Sequence, residues 1–192
     1  MNLLSHLRIA RHVLAPYRRE QGLARRAAFF FGNVRPDIFG GFIVLPHTPA
    51  ARARLVNLRI ARCIKELEEG MSGDLLTNYR LGIICHFIAD FFCFAHNDWA
   101  DLSTPQHFRY ERMLNHHLKR RDLEGSTLPY AYSAQEIIEA LWLTHKEYSA
   151  LSPEHTHDLD YTARMCAYLF GSANTIAQNA VVYPVKALPA VG

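Results

Sequence analysis

Between Leu81 and Ala95 the chain reads LGIICHFIADFFCFA, an apolar run broken only by His86 and Asp90. The run is too short to cross a bilayer, which takes about 20 residues of helix, and too apolar to lie in water. It must therefore be wrapped on all sides by the rest of the chain. His86 and Asp90 are four residues apart, so on a helix they project from one face, one turn from each other. A carboxylate in such surroundings is costly unless it is paired, hydrogen-bonded or bound to a metal. The fold has to be built around a central helix that carries a polar pair into the core.

Helical periodicity dominates the remaining sequence, and no run alternates as a strand. Residues 2–15 form a first expected helix ending near Pro16, and residues 20–31 a second, stopped by Gly32-Asn33. A loop from Gly32 through Pro36-Asp37 and Gly40-Gly41 to Pro46-His47 is expected next. Thr48-Pro49 gives an N-cap followed by proline in the first turn, opening a helix through Glu69 that stops at Gly70. Residues 73–97 are read as the central helix. Thr104-Pro105 repeats the cap-plus-proline signal for a helix to about Arg121, which puts His107 in its first turn and Glu111 one turn later. Ser133-Ala134-Gln135-Glu136 is a capping-box pattern for a helix to about Ala150, and a last helix covers roughly 158–180. The expectation is one all-α domain, a compact multi-helix unit over residues 1–182, followed by a proline-containing tail at 183–192.

The 192 residues suit one domain with a substantial core. A net charge of +3 points to no extended nucleic-acid surface. Arg8, Arg11, Arg18, Arg19, Arg25 and Arg26 make the first segment basic; a solvated helical face is the plainer reading, and contact with an anionic membrane surface or substrate the sharper one. Arginines and histidines interrupt Leu3 to Leu14 before a secretory apolar region develops, so a cytoplasmic location is expected. Cys63, Cys85, Cys93 and Cys166 show no CxxC spacing. Cys85 and Cys93 on one helix would stand about 12 Å apart, too far to bridge, and all four are read as small buried residues.

His86, Asp90, His96, His107 and Glu111 place five potential ligands in 26 residues, as HxxxD, then H, then HxxxE. Zinc accepts imidazole nitrogen and carboxylate oxygen together, and catalytic sites with such mixed sets keep a position open for water. A lone HxxxD is usually an internal hydrogen bond. Two such pairs with a histidine between them share a pattern that independent core histidines have no reason to share. His116 and His117 are read as the exposed basic end of their helix, and His155-Thr-His157-Asp158 as a helix-entry loop. His145 lies in a segment without a matching carboxylate, and Asp98 and Trp99 border the cluster. Phe39, Phe42, Ile43, Val44 and Leu45 offer a rim for lipid chains, although core packing suits their composition better.

The ordered set His6, Asp37, His47, His86-x3-Asp90, His96 and His107-x3-Glu111 resembles the bacterial zinc-dependent phospholipase C family, an all-helical catalytic domain that binds up to three zinc ions. The motif match runs over roughly residues 1–120. The resemblance implies that His47, His86 and Asp90 hold one zinc with Asp37, and that His96, His107 and Glu111 hold a second. A third would draw on His6 and the chain terminus and share Asp90; His12 competes with His6 for that place. Secreted members supply a processed N-terminal tryptophan where this chain has Met1, so two or three ions per chain are expected. The resemblance also implies Asp37 as the catalytic base or water-orienting group. The Gly-Asn-x-x-Pro-Asp segment is suited to aiming that carboxylate from a rigid turn.

The implied activity is hydrolysis of a phosphate ester, foremost the phosphodiester of a phospholipid, by a metal-activated water, with a phospholipid or other phosphodiester as partner and peripheral membrane contact. Two alternatives stand beside it. A zinc nuclease or nucleotidase would share the cluster and add aromatic and basic surfaces for bases and phosphates. A non-catalytic zinc-stabilised binding module would close each ion with four protein ligands.

Overall fold

The computed structural model describes residues 1–39, 47–71, 75–123 and 128–182. Among these, seven α-helices and one 3₁₀ turn appear and no strand. They are α1 (Leu3–Leu14), α2 (Leu23–Ile38), α3 (Pro49–Glu68), α4 (Leu75–Phe91), the 3₁₀ turn (Phe94–His96), α5 (Thr104–Leu118), α6 (Ala134–Ser149) and α7 (His155–Val182). The expected tail and the apolar positions 42–45 lie outside the described residues.

α4 is the axis. From Leu81 to Phe91 every residue is buried, as the apolar run requires. Helices α2, α3, α7 and α1 pack around α4, α5 lies against α1, α7 and the 3₁₀ turn, and α6 bridges α3 and α7. Phe29, Ile60, Ile64, Ile84, Phe87, Ile88, Phe91 and Phe170 are fully enclosed, each side chain contributing about 1.5–3 kcal/mol by leaving water. Cys63, Cys85, Cys93 and Cys166 are free thiols within this core. No helix among the described residues is long and apolar enough to cross a membrane.

Local signals set the helix ends. Thr48 accepts the Ala51 amide and Pro49 follows it, while Gly70 takes a left-handed φ of 76° just past the end of α3. The cap of α5 is Ser103, one residue before the expected Thr104; Gln106 Oε1 accepts from both its amide and its hydroxyl. Ser133 caps α6 by accepting the Glu136 amide.

Three expectations fail. Gly32-Asn33 does not end α2, which continues through Pro36 to Ile38. Gly32 is instead a point of close approach. A Cβ there would overlap the Tyr79 carbonyl of α4, and one on Gly82 would overlap the Phe29 carbonyl and reach the Asn33 nitrogen at 2.8 Å. The two glycines let the backbones of α2 and α4 touch, and this pair forms the most extensive helix contact in the fold. The central helix, in turn, stops at Phe91, not at residue 97. Cys93 is extended, and the Asn97 side-chain Nδ2 donates to the carbonyls of Phe91 and Cys93 at 3.1 and 2.9 Å, occupying acceptors that a continuing helix would have used. The His155-Thr-His157 run is likewise the first turn of α7, not a loop.

Candidate metal centre

The pair predicted from spacing sits at the centre of the fold. His86 and Asp90 are both fully buried, with His86 Nε2 3.2 Å from Asp90 Oδ2. His86 Nδ1 donates to the Asn33 carbonyl of α2 at 2.8 Å. That bond fixes the tautomer and leaves the lone pair on Nε2 facing the cluster, as is usual for a metal-binding histidine. Asp37 comes from the last turn of α2, not from a loop, so a helix end rather than a rigid turn aims it. Its Oδ1 lies 3.6 Å from His86 Nε2 and 4.0 Å from His47 Nδ1. His47, directly before the Thr48 cap of α3, brings Nδ1 to 3.0 Å from Asp90 Oδ2 and 3.3 Å from His86 Nε2.

His6 enters from α1, fully buried and stacked on the His86 ring at 3.9 Å. Its Nε2 is 3.3 Å from Asp90 Oδ1 and 3.9 Å from Asp37 Oδ2. The approach to Asp90 is close but misaligned for an N–H···O bond, and neither ring nitrogen has an aligned partner among the described residues. An imidazole with both nitrogens stranded in a core is expensive, and here it faces carboxylates shared with other histidines.

The second half of the cluster joins α5 to the 3₁₀ turn. Because α4 ends early, His96 is carried on the turn and swings toward Glu111, its Nε2 2.8 Å from Oε1. His107 Nε2 reaches the same oxygen at 3.2 Å, the separation also seen within the first helix-spaced pair. The α-amino group of Met1 lies between the halves. It pairs with Asp90 Oδ1, is 2.6 Å from His96 Nε2 and 3.3 Å from Glu111 Oε1. The Asn2 side chain holds the start of α1 here by donating to the Glu111 carbonyl.

Donor atoms therefore converge in three sets, each within 4.8 Å: His6, Asp37 and His86; His47, His86 and Asp90; His96, His107 and Glu111. Two ligands of one tetrahedral zinc at bond lengths of about 2.0–2.2 Å stand roughly 3.3–3.5 Å apart. The contacts of 2.8–3.6 Å among His47, His86, Asp90, Asp37, His96, His107 and Glu111 bracket that value. His86 Nε2 and the facing His47 Nδ1 share a carboxylate oxygen, an arrangement that calls for a cation between them. The residues fit zinc. His6 groups with Asp37 and His86, whereas the terminus groups with Asp90, His96 and Glu111. His12 stands in none of the three sets.

Burial and charge compete throughout. Burial disfavours the Asp90 carboxylate, but His96, the Met1 amine, His86 and His6 outweigh it and hold the group well below the usual carboxylate range. Glu111 is held low against its burial by hydrogen bonds from His107 and His96. The Met1 ammonium, although desolvated, is pushed up to about 12 by Asp90 and Glu111. Burial and the neighbouring His86 pull His6 down to about 3. Asp37 is raised, mainly by burial. It is also among the more open members, with its side chain 25 % exposed and that of His107 30 % exposed, so the cluster meets solvent at Asp37 and His107.

The other histidines serve elsewhere. His145 Nε2 contacts Asn97 Oδ1 at 3.1 Å, and its ring meets Trp99. His117 and His155 stack on each other, and His155 on Tyr110. The Met1 amine, which has no side-chain signature, entered only through the family resemblance. One participant escaped sequence reasoning. Asp158 was set aside with the presumed loop, yet it is fully buried and accepts three hydrogen bonds beside the cluster.

Compared with known proteins, residues 5–155 match the family model described as zinc dependent phospholipase C. No curated protein and no solved structure gives a significant match. With the match spanning most of the chain and every ligand-bearing segment after Met1, the chain belongs to the zinc-dependent phospholipase C family.

Proposed function

We propose that this protein hydrolyses a phosphodiester, foremost that of a phospholipid, with His6, Asp37, His47, His86, Asp90, His96, His107 and Glu111 holding two or three zinc ions. The observation that carries the reading is the convergence of these side chains in three adjoining sets, two of which share His86. A structural ion needs one closed shell of four ligands; adjoining sets open to solvent at Asp37 and His107 exceed what folding requires. Zinc bound there supplies Lewis acidity and lowers the pKa of water to about 7.

The protein's own groups divide the remaining work. Asp90 and Glu111 stay ionised and offset cationic charge in a buried place. The Asn33 carbonyl keeps His86 in the tautomer that presents Nε2. Asp37, partly open to solvent, is assigned to orient a water and accept its proton, the role of a general base. The Met1 amine offers a further donor between Asp90 and Glu111 once its proton is lost. Ile38 and Phe39, after Asp37, are 48 % exposed and Phe108, after His107, is 64 % exposed. We assign them to contact with lipid chains at a membrane surface.

The test compares turnover of a choline phosphodiester chromogen, phospholipid vesicles and single-stranded DNA by zinc-loaded protein. Cleavage of the lipid, lost with a chelator and restored by zinc, is expected. Preferential cleavage of DNA would replace the lipid by a nucleic acid, and no cleavage of any of them with full zinc content would leave a non-catalytic binding module.

A further inference from the structure

We propose that Asp158 is the positioning residue of the His96, His107 and Glu111 site: one carboxylate ties the turn that carries His96 to the helix that carries His107 and Glu111. This rests on the reading that those three side chains hold a metal ion.

Asp158 lies in the first turn of α7, fully buried. Its Oδ2 accepts the Phe94 amide at 3.0 Å and the Tyr110 hydroxyl at 2.9 Å. Phe94 opens the 3₁₀ turn that ends in His96, and Tyr110 directly precedes Glu111. The Phe94 and Tyr110 rings also meet, with centroids 5.4 Å apart. Oδ1 accepts the Tyr148 hydroxyl of α6 at 2.7 Å, a bond that leads to no ligand. The same carboxylate thus makes two bonds toward the ligands and one away from them.

The geometry explains why an acid is needed here. The turn has left the α-helical ladder, so the Phe94 amide needs an acceptor in a core that offers few. Asn97 fixes the other end of the turn through the Phe91 and Cys93 carbonyls. Held from both sides, the turn presents His96 Nε2 at 2.8 Å from Glu111 Oε1. A neutral hydrophobe could fill the space but could not accept these donors. Groups of this kind behind metal ligands typically change metal affinity 10–100-fold when removed.

The test uses full-length Tyr110→Phe, Asp158→Ala and Tyr148→Phe. Each Tyr→Phe change removes one hydroxyl and keeps the ring, so Tyr110→Phe remains informative if Asp158→Ala fails to fold. The readouts are zinc affinity by competition with a chromophoric chelator and the visible spectrum of the Co²⁺-substituted protein. The relevant ion is identified as the one lost in Glu111→Ala. Tyr110→Phe and Asp158→Ala are expected to weaken that ion 10–100-fold and to shift its Co²⁺ bands, while Tyr148→Phe stays within about twofold of the parent. Parent-like affinity and spectrum in Tyr110→Phe, or equal weakening in Tyr148→Phe, would overturn the positioning role. A parent protein that binds no ion dependent on Glu111 would overturn the metal reading itself, a distinct result.

Discussion

Replacing Gly32 by alanine tests how the helix crossing sets the metal centre. The added Cβ would overlap the Tyr79 carbonyl oxygen, stand 2.9 Å from its carbon and 3.2 Å from the Ile83 nitrogen. All three are backbone atoms of α4, so no side chain can rotate away. Restoring ordinary contact requires α2 and α4 to separate by on the order of 1 Å. Overpacking of this kind costs about 1–3 kcal/mol, offset by about 1 kcal/mol from the better helix propensity of alanine. Because only backbone atoms are met, the cost falls in the upper part of that range, and a net loss of about 1–2 kcal/mol corresponds to a Tm lower by roughly 2–8 °C for a domain of this size. The separation also lengthens the 2.8 Å bond from His86 Nδ1 to the Asn33 carbonyl and moves Asp37 away from His86. Thermal unfolding of zinc-loaded protein, paired with zinc affinity, reads both effects. A Gly32→Ala protein with unchanged Tm and unchanged zinc affinity would refute the assignment of Gly32 to the crossing.

In metal-stripped protein, burial holds His6 near a pKa of 3 against an ordinary 6.5. The group binds a proton more readily when unfolded, so its contribution is complete above pH 6.5 and is lost as pH falls toward 3, about 5 kcal/mol at the limit. Urea midpoints should drop below pH 6.5, with a shallower slope in His6→Asn; equal midpoints at pH 7 and pH 4.5 would contradict the shift. Extending the chain by two residues before Met1 should displace the amine from Asp90 and Glu111 and reduce zinc affinity or stoichiometry, as metal analysis of matched preparations would show. Thr48→Ala removes the cap of α3 next to His47; a loss of about 1 kcal/mol in urea unfolding is expected.

The sequence exposes what depends on near neighbours. The cap-and-proline signals at Thr48-Pro49 and around Ser103 to Pro105 mark helix starts because the atoms that satisfy the first amides lie within a few residues. The i,i+4 pairs His86–Asp90 and His107–Glu111 are legible for the same reason, and each brings its donors to 3.2 Å. Gly32 misleads because its meaning is set by Tyr79, almost fifty positions away: glycine that ends a helix and glycine that admits a second helix look alike in one dimension. The break after Phe91 is hidden in the same way, since the apolar periodicity continues while the Asn97 side chain takes the carbonyls. Asp158 is invisible locally because its partners lie on other elements, and the Met1 amine is suggested only by the family resemblance.

The most direct test of the zinc cluster is the metal content of the purified chain, by plasma emission, after equilibration with zinc and removal of free ions. Two or three zinc ions per chain are predicted, with at least one lost in His86→Ala and at least one in Glu111→Ala. One ion or none, or a content unchanged by both substitutions, would contradict the assignment.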